Sequence, residues 1–366
     1  MSSTTTDDRS FRFDPSNTFL QPLVEMLRRH PKRVVFPEGN DPRVLRVAAE
    51  LVRLECVSPI LIGKRRDIER TAAELGISME FIGVVQPEDS SDFQAYCERY
   101  RRSERLRRKI IRAPEETMAI PSYFAAMMVQ YGAADAVVGG NKVIPAAFFR
   151  ALFHLIKRQE HLDSATSCMP IRLPQRRDLG NDGVMFLADC AVIPTPTVGQ
   201  LASIAVETAK IAAPLLHDRA RVAMLSFSTK GSARNLTTEK MQAATQMARV
   251  RAGQQQVPMD VDGELQLDAA IVPAAAERKV PLSLVAGKAN ILVFPDLNAS
   301  HIAFKILQHI AGAECYGQMV LGLSRPAAHV SRVADELTIF GAAICVAYLS
   351  ISYRDIIEFE SWDDES

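Results

Sequence analysis

Val222–Ala233 reads VAMLSFSTKGSA, an apolar run that stops abruptly in hydroxyls, a lysine and a glycine. A second stretch, ILVFPDLN at 291–298, follows the same grammar with an acid and an amide in place of the hydroxyls. Each precedes a helix-patterned segment. An open parallel α/β sheet makes its ligand edge in this way: beyond the carboxyl ends of the strands, small and polar residues let backbone N–H groups and helix N-termini face an anion.

The same alternation extends outward along the chain. Arg33–Phe36 is a short strand-like run that stops at Pro37-Glu38, and Asp41 before Pro42 reads as a helix N-cap with proline at the first helical position. Val44, Leu45, Val47, Ala48, Leu51 and Val52 give the following helix an apolar stripe. Pro59–Ile62 then Asp67–Leu75, and Phe81–Val85 then Asp92–Arg102, repeat the pair, and Asp135–Val138 follows a helical Met118–Tyr131. A second series pairs Val184–Leu187 with a long helix at Val198–Leu216, Val222–Phe227 with Glu239–Val250, Ile291–Phe294 with Ala299–Ile310, and Gln318–Leu321 with a last helix from about Asp335. Short apolar strands alternating with longer helices predict buried, mostly parallel sheets covered on both faces.

At 366 residues the chain exceeds one ordinary core, so two domains are expected. The polar stretches Gln159–Ser164 and Leu173–Asp182 place the break near 155–165. With the last, nearly uncharged helix packed back on the first domain, the expected division is a polar N-terminal tail at 1–19, domain I from 20–160 plus 328–366, and domain II from 161–327.

The 43 basic and 43 acidic side chains cancel, which gives no reason to expect nucleic acid as a partner. The basic run Arg99, Arg101, Arg102, Arg105, Arg107, Arg108 and Lys109 reads as one solvated helix face. Six cysteines without CxxC or Cys/His spacing read as buried thiols in a reducing compartment. The first residues lack a signal peptide's basic and apolar regions, and Ile339–Ile351 is too short to span a bilayer, so a cytoplasmic protein without membrane contact is expected.

The loop Ser226, Ser228, Thr229, Lys230, Gly231, Ser232 could wrap a phosphate, or serve as a polar turn; spacing leaves the two even, and it is not a Walker loop. Asp262, Glu264 and Asp268 read better as helix-starting and loop-holding acids than as a calcium site. The seven histidines show no zinc spacing, and no GxGxxG follows a strand, so neither a metal nor a nicotinamide cofactor is expected. Arg150, inside the apolar pattern of Ala146–Ile156, and Arg332, beside Ser331 ahead of the last helix, are guanidinium groups placed to meet an anion or a carboxylate, although an interdomain salt bridge or a snorkelling surface side chain is the commoner fate of such a residue.

Taken together, VVFPEGNDPRVLRVAAE at 34–50, DGVMFLADCAVIPTPTVGQLASIAV at 182–206, VAMLSFSTKGSA, VDGELQLDAAIVP at 261–273 and GKANILVFPDLNASHIAFKI at 287–306 resemble the phosphate acetyltransferase and phosphate butyryltransferase family over nearly the whole chain. The resemblance implies two α/β/α domains of the isocitrate/isopropylmalate dehydrogenase-like type with a cleft between them, and a homodimer. It implies the reversible reaction of acyl-CoA and inorganic phosphate to CoA and acyl phosphate. CoA is then a substrate, with no permanently bound cofactor and no metal. A carboxylate would take the thiol proton while arginines hold the phosphate and the developing oxyanion. The family's Ser-Arg pair matches Ser331 and Arg332, its arginine after a Gly-containing loop matches Arg150, and a further arginine falls within Arg101–Arg108.

Three positions depart from the family's pattern. Its catalytic aspartate position is Thr338 here, with Asp335 and Glu336 the nearest carboxylates. The loop before Arg150 reads GGNKVIPAAFFR, leaving Asn141 and Lys142 to meet phosphate. Ala328 and His329 stand where an Asn-Asp pair is usual. The remaining substrate contacts assigned by this reading are Ser228, Thr229, Lys230, Gly231, Ser232, Asp296 and Asn298. Acetyl is the expected acyl group; the alternative is a catalytically weakened homologue that binds CoA or acyl-CoA, or acts as a regulatory or interaction protein.

Overall fold

The computed structural model describes residues 10–102 and 112–357. In chain order the elements are α1 (Leu20–Arg29), β1 (Lys32–Phe36), α2 (Pro42–Arg53), β2 (Val57–Ile62), α3 (Arg65–Leu75), β3 (Gly83–Val85), α4 (Phe93–Arg102), α5 (Pro114–Met118), α6 (Pro121–Gln130), β4 (Ala136–Gly139) and α7 (Pro145–Leu155). They continue with β5 (Thr166–Arg172), β6 (Val184–Ala188), α8 (Val198–Leu216), β7 (Ala220–Leu225), α9 (Leu236–Gln254), β8 (Met259–Leu265), α10 (Leu267–Ile271), α11 (Pro273–Lys279), β9 (Ile291–Val293) and α12 (Leu297–His309). The chain ends in β10 (Glu314–Cys315), β11 (Gln318–Leu321), β12 (Ala327–His329), α13 (Glu336–Leu349) and α14 (Tyr353–Ile357).

Two compact units divide the chain. Among the described residues, the first comprises 10–102 and 112–157 together with Arg325–Ile351, and the second Arg158–Ser324 together with 352–357. The return to the first unit therefore stops at Ile351, before the end of the chain. Tyr353 belongs instead to the second unit, where its hydroxyl donates to the Leu323 carbonyl at 3.1 Å.

In the first unit the strands run β3-β2-β1-β4-β12, every pairing parallel. All four residues of β4 are buried. Because successive side chains point to opposite faces, such a strand needs cover on both. α13 packs on α1, α2, β1 and β4, and its burial all round explains why its sequence carries no charge after Glu336. From β1 the chain moves to β2 and β3 on one side and then returns to β4 on the other. The gap between the carboxyl ends of β1 and β4 is thus a topological switch point, the place where open α/β sheets bind ligands.

The stretch expected to be a polar tail is packed from Phe11 on. Phe13 stacks on Phe340 at 4.9 Å between ring centroids, and its N–H donates to the buried Glu50 carboxylate at 2.8 Å. Three phenylalanines, Phe11, Phe13 and Phe19, anchor this otherwise polar stretch, because each ring buries a large apolar area.

The second unit orders its strands β11-β5-β6-β9-β7-β8, with β10 also on β5. β6, β9, β7 and β8 are parallel, whereas β5 is antiparallel to β6, β10 and β11. Leu187, Leu225, Leu265, Leu292 and Phe304 lie in its core. α8 matches its expected bounds and begins with a reciprocal Thr197–Gln200 capping box.

Candidate active site at the β1, β4 and β12 edge

Three strand ends of the first unit lie side by side. β1 leads into Pro37–Asp41, β4 into Gly140–Lys142, and β12, with His329 opposite Gly139, into Val330–Asp335. Asp41 ties the three loops together. Its side chain caps α2 by accepting from the Arg43 N–H at 2.9 Å, accepts from Asn141 Nδ2 at 2.8 Å, and pairs with the Arg43 guanidinium at 2.8 Å. Arg43 in turn donates to the carbonyls of Arg332 at 2.9 Å, Ala334 at 2.7 Å and Asn141 at 3.1 Å. Burial alone would raise the Asp41 carboxyl, but the hydrogen bonds from Arg43 and Asn141 outweigh it and hold the group below its ordinary range.

This arrangement fixes the backbone of the Ser331-Arg332 loop while leaving the Arg332 side chain exposed. Its guanidinium has no hydrogen bond or ion pair among the described residues, and neither does the exposed guanidinium of Arg150 on α7. Lys142 reaches Asn40 Oδ1 at 3.0 Å and remains exposed. Ser331 Oγ accepts a long 3.4 Å bond from the Val333 N–H. Asp335 is the N-cap of α13, accepting from the Thr338 N–H at 2.8 Å, and Glu336 pairs with Arg46 at 3.0 Å. Both carboxylates nominated by the sequence thus have structural partners, and Thr338 is buried.

Glu38 and His329 flank a pair of glycines at the centre of this edge. The Glu38 carboxyl is 7% exposed and accepts from the Gly140 N–H at 3.0 Å; its other oxygen is buried with no hydrogen-bond partner among the described residues. Burial pushes it up to about 7. A Cβ on Gly139 would come within 2.6 Å of Pro37 Cγ and 3.0 Å of Glu38 Oε2, and one on Gly140, whose φ is 105°, within 2.4 Å of His329 Cδ2. Bare backbone is therefore required at both positions. His329 is buried beside the rings of Phe148 and Phe149, at 6.0 and 5.0 Å between centroids, and burial lowers it to about 4, so it is neutral at physiological pH.

The serine- and lysine-bearing loop of the second unit is differently occupied. Ser228 Oγ donates to Glu264 Oε1 at 2.9 Å, the Gly231 N–H donates to the same oxygen at 2.7 Å, and the Lys230 N–H donates to the Glu264 carbonyl at 3.1 Å. Thr229 bonds Gln266, Ser232 Oγ accepts from the Thr229 N–H, and Lys230 Nζ pairs with Asp262. Asp262 is further held by Arg249 at 2.7 Å and Ser283 at 2.6 Å. Ser228, Lys230 and Gly231 thus donate to the acids of β8, while Thr229 bonds Gln266 and Ser232 bonds within the loop. Asp268 pairs with Lys279 at 2.7 Å. Asp296 caps α12 by accepting from the Ala299 N–H at 2.9 Å, with Asn298 exposed on its first turn.

Of the basic run, Arg105, Arg107, Arg108 and Lys109 lie outside the described residues. Arg101 and Arg102 are exposed and pair with Glu115 and Glu98, and Arg99 lies 4.1 Å over the Tyr131 ring. Among the described residues no group of three His, Cys, Asp or Glu side chains could hold a metal ion. The sequence reading used Asp41 as a cap alone and passed over Glu38 and Arg43. The signal was present in FPEGND at 36–41, an apolar strand ending in acids and an amide just as VFPDLN does at 293–298.

The exposed Arg332 guanidinium on a loop held at the carboxyl edge of a parallel α/β sheet makes this edge a candidate anion site. The family described as phosphate acetyl/butaryl transferase matches residues 18–347, and the chain belongs to that family. It is 37% identical over 316 residues to a phosphate acetyltransferase from Thermoanaerobacterium thermosaccharolyticum, covering 86% of this chain and 94% of the relative. It is 34% identical over 330 residues to one from Acetivibrio thermocellus, covering 90% and 97%. Among solved structures, a phosphotransacetylase from Streptococcus pyogenes superposes with a TM-score of 0.79 at 32% identity, covering 90% of this chain and 98% of that one. A phosphotransacetylase from Staphylococcus aureus gives 0.79 at 30% identity, covering 90% and 99%. The chain is an acyltransferase, and these likenesses do not favour a homologue without turnover.

Proposed function

We propose that the reversible transfer of an acyl group between CoA and inorganic phosphate, the reaction of this family, uses acetyl in this protein and takes place at the β1, β4 and β12 edge. The observation that carries the site is the Arg43 grip on the Arg332 and Ala334 carbonyls, which holds the loop rigid and leaves the Arg332 guanidinium open for an anion. Arg332 and Arg150 would take the phosphoryl and carbonyl oxygens, for which planar guanidinium groups suit. Lys142, Asn141 and Ser331 border the same edge. Acetyl as the acyl group rests on the relatives at 34–37% identity, which bear the name phosphate acetyltransferase.

Substrates supply both nucleophile and leaving group, so the chemistry asks for neither a metal nor a permanent cofactor. The six free, buried cysteines fit a reducing cytoplasm, and among the described residues no helix is long and apolar enough to cross a membrane. A homodimer is supported by Ile302 and Ile306 on α12 and Ile310 just beyond it, which are 59%, 49% and 80% exposed at helical spacing. Sedimentation should give twice the 40.4 kDa chain mass.

A phosphate-dependent thiol-release assay over acetyl-, propionyl- and butyryl-CoA tests the reading. Acetyl-CoA should give the highest kcat/KM, with release abolished when phosphate is omitted. A preference for butyryl-CoA would refute the assignment of the acyl group, and release independent of phosphate would refute the reaction.

A further inference from the structure

We infer that Glu38 is the group that takes the CoA thiol proton, directly or across one water, when acyl phosphate is converted to acyl-CoA. The inference rests on placing the reaction at the β1, β4 and β12 edge. In that direction the thiol must lose its proton before sulfur can attack, because the thiolate is the nucleophile. The acids that border the edge can be sorted by what already holds them. Asp41 is committed to Arg43 and Asn141, Asp335 to the first turn of α13, and Glu336 to Arg46. His329 is buried against two aromatic rings.

Glu38 differs from all of these. One oxygen is anchored by the Gly140 N–H, which sets the plane of the carboxyl, and the other is buried without a partner among the described residues. A buried oxygen in that condition calls for a ligand or a water. The site is built around it: Gly139 presents no Cβ where one would stand 3.0 Å from Glu38 Oε2. The charged and titratable groups around this carboxyl are Asp41, Arg43 and Lys142, with His329 on the far side of the glycine pair. Its proton affinity, raised by burial to about 7, lies closer to that of a thiol than an exposed carboxylate's would.

The step balances without a further reactant. The S–H proton passes to Glu38, the sulfur forms a bond to the acyl carbon, and the bond from that carbon to the phosphate oxygen breaks with its electron pair leaving on phosphate. The proton on Glu38 is then released to the departing phosphate or to solvent. The reverse direction runs the same transfers backwards.

Glu38→Gln tests this, since the amide keeps both the volume and an oxygen for the Gly140 N–H but cannot accept the proton. In the acyl-CoA-forming direction kcat should fall by about 10²–10⁴ with the KM for acyl phosphate within about threefold, and the remaining rate should climb with pH towards the thiol's own ionisation. Wild type should show an ionisation near 7 in kcat/KM for CoA. Activity of E38Q close to wild type, an unchanged pH profile in E38Q, or a wild-type profile flat between pH 6 and 8 would each overturn the role; the last needs no variant to fold. Arg332→Ala, run alongside, separates the two readings. Loss in R332A with retention in E38Q removes Glu38 and leaves the site, whereas loss in E38Q with retention in R332A removes the arginine's role and leaves Glu38.

Discussion

Loops that follow a strand with polar residues ahead of a helix behave oppositely in the two units. In the second unit the STKGS loop looks made for phosphate, yet its hydroxyls, amide and lysine are consumed by Glu264, Asp262 and Gln266. In the first unit PEGND and GGNK look blander, yet they buttress a loop whose arginine remains unpaired among the described residues, and the same edge holds a buried carboxyl oxygen without a partner there. A donor-rich loop is therefore not the same thing as an anion site. What matters is whether donors remain after the fold has satisfied its own acceptors.

The comparison can be broken most sharply by removing the acid at the centre of each network. Asp41→Ala strips the cap of α2 and removes the carboxylate partner of a part-buried guanidinium, costing about 3 kcal/mol, and it loosens the Arg43 hold on the Ser331-Arg332 backbone; activity per folded molecule should fall about 10²-fold or more. Glu264→Ala leaves a buried hydroxyl and a backbone N–H without their acceptor and should cost about as much stability, with activity per folded molecule within threefold. Chemical denaturation beside specific activity checks both. Equal catalytic losses would erase the distinction.

A smaller effect sharpens it through pH. Glu38 is raised in the folded state from 4.5 to about 7, so its contribution is fully present below the unfolded value and is lost as pH rises through the folded one. E38Q should thus be more stable than wild type at pH 8, by at most about 3 kcal/mol, with the gain vanishing below pH 4.5. His329 is shifted down from 6.5 to about 4 and gives the opposite slope: protonation of the unfolded chain removes stability as pH falls from 6.5 towards 4. The wild-type curve should therefore be flatter between pH 4.5 and 6.5 than that of E38Q, whose unfolding midpoint should fall more steeply with acid. Parallel curves for the two proteins would show that Glu38 ionises at an ordinary value.

Much of this architecture was legible because local chemistry and tertiary demand agree. α8 and β11 occur at their expected bounds, the cap at Asp41 holds as read, and the last helix starts just after Asp335. Failures came where one signal masked another. β5 has Pro170 in its interior, which argues against a strand, but the proline stands opposite the break between β10, which pairs as far as Ile171, and β11, which pairs from Cys168. β8 was hidden because its acids, Asp262 and Glu264, drew attention as possible ligands. The expected Met118–Tyr131 helix is two, broken between Met118 and Pro121, since proline cannot continue the hydrogen-bond ladder behind it. At the site, Arg332 and Arg150 could be nominated from sequence because charges in apolar or loop contexts stand out. Glu38 could not, since its character comes from the glycine turn of β4, 102 positions away, and from the burial that packing imposes.

The most direct measurement is kcat/KM for inorganic phosphate in Arg332→Ala and Lys230→Ala, assayed side by side with acetyl-CoA. The account predicts a loss of about 10²–10³ for R332A, the scale of one transition-state anion contact, and a change within threefold for K230A. A loss of that size in K230A with R332A near wild type would place phosphate on the second unit's loop and contradict the account.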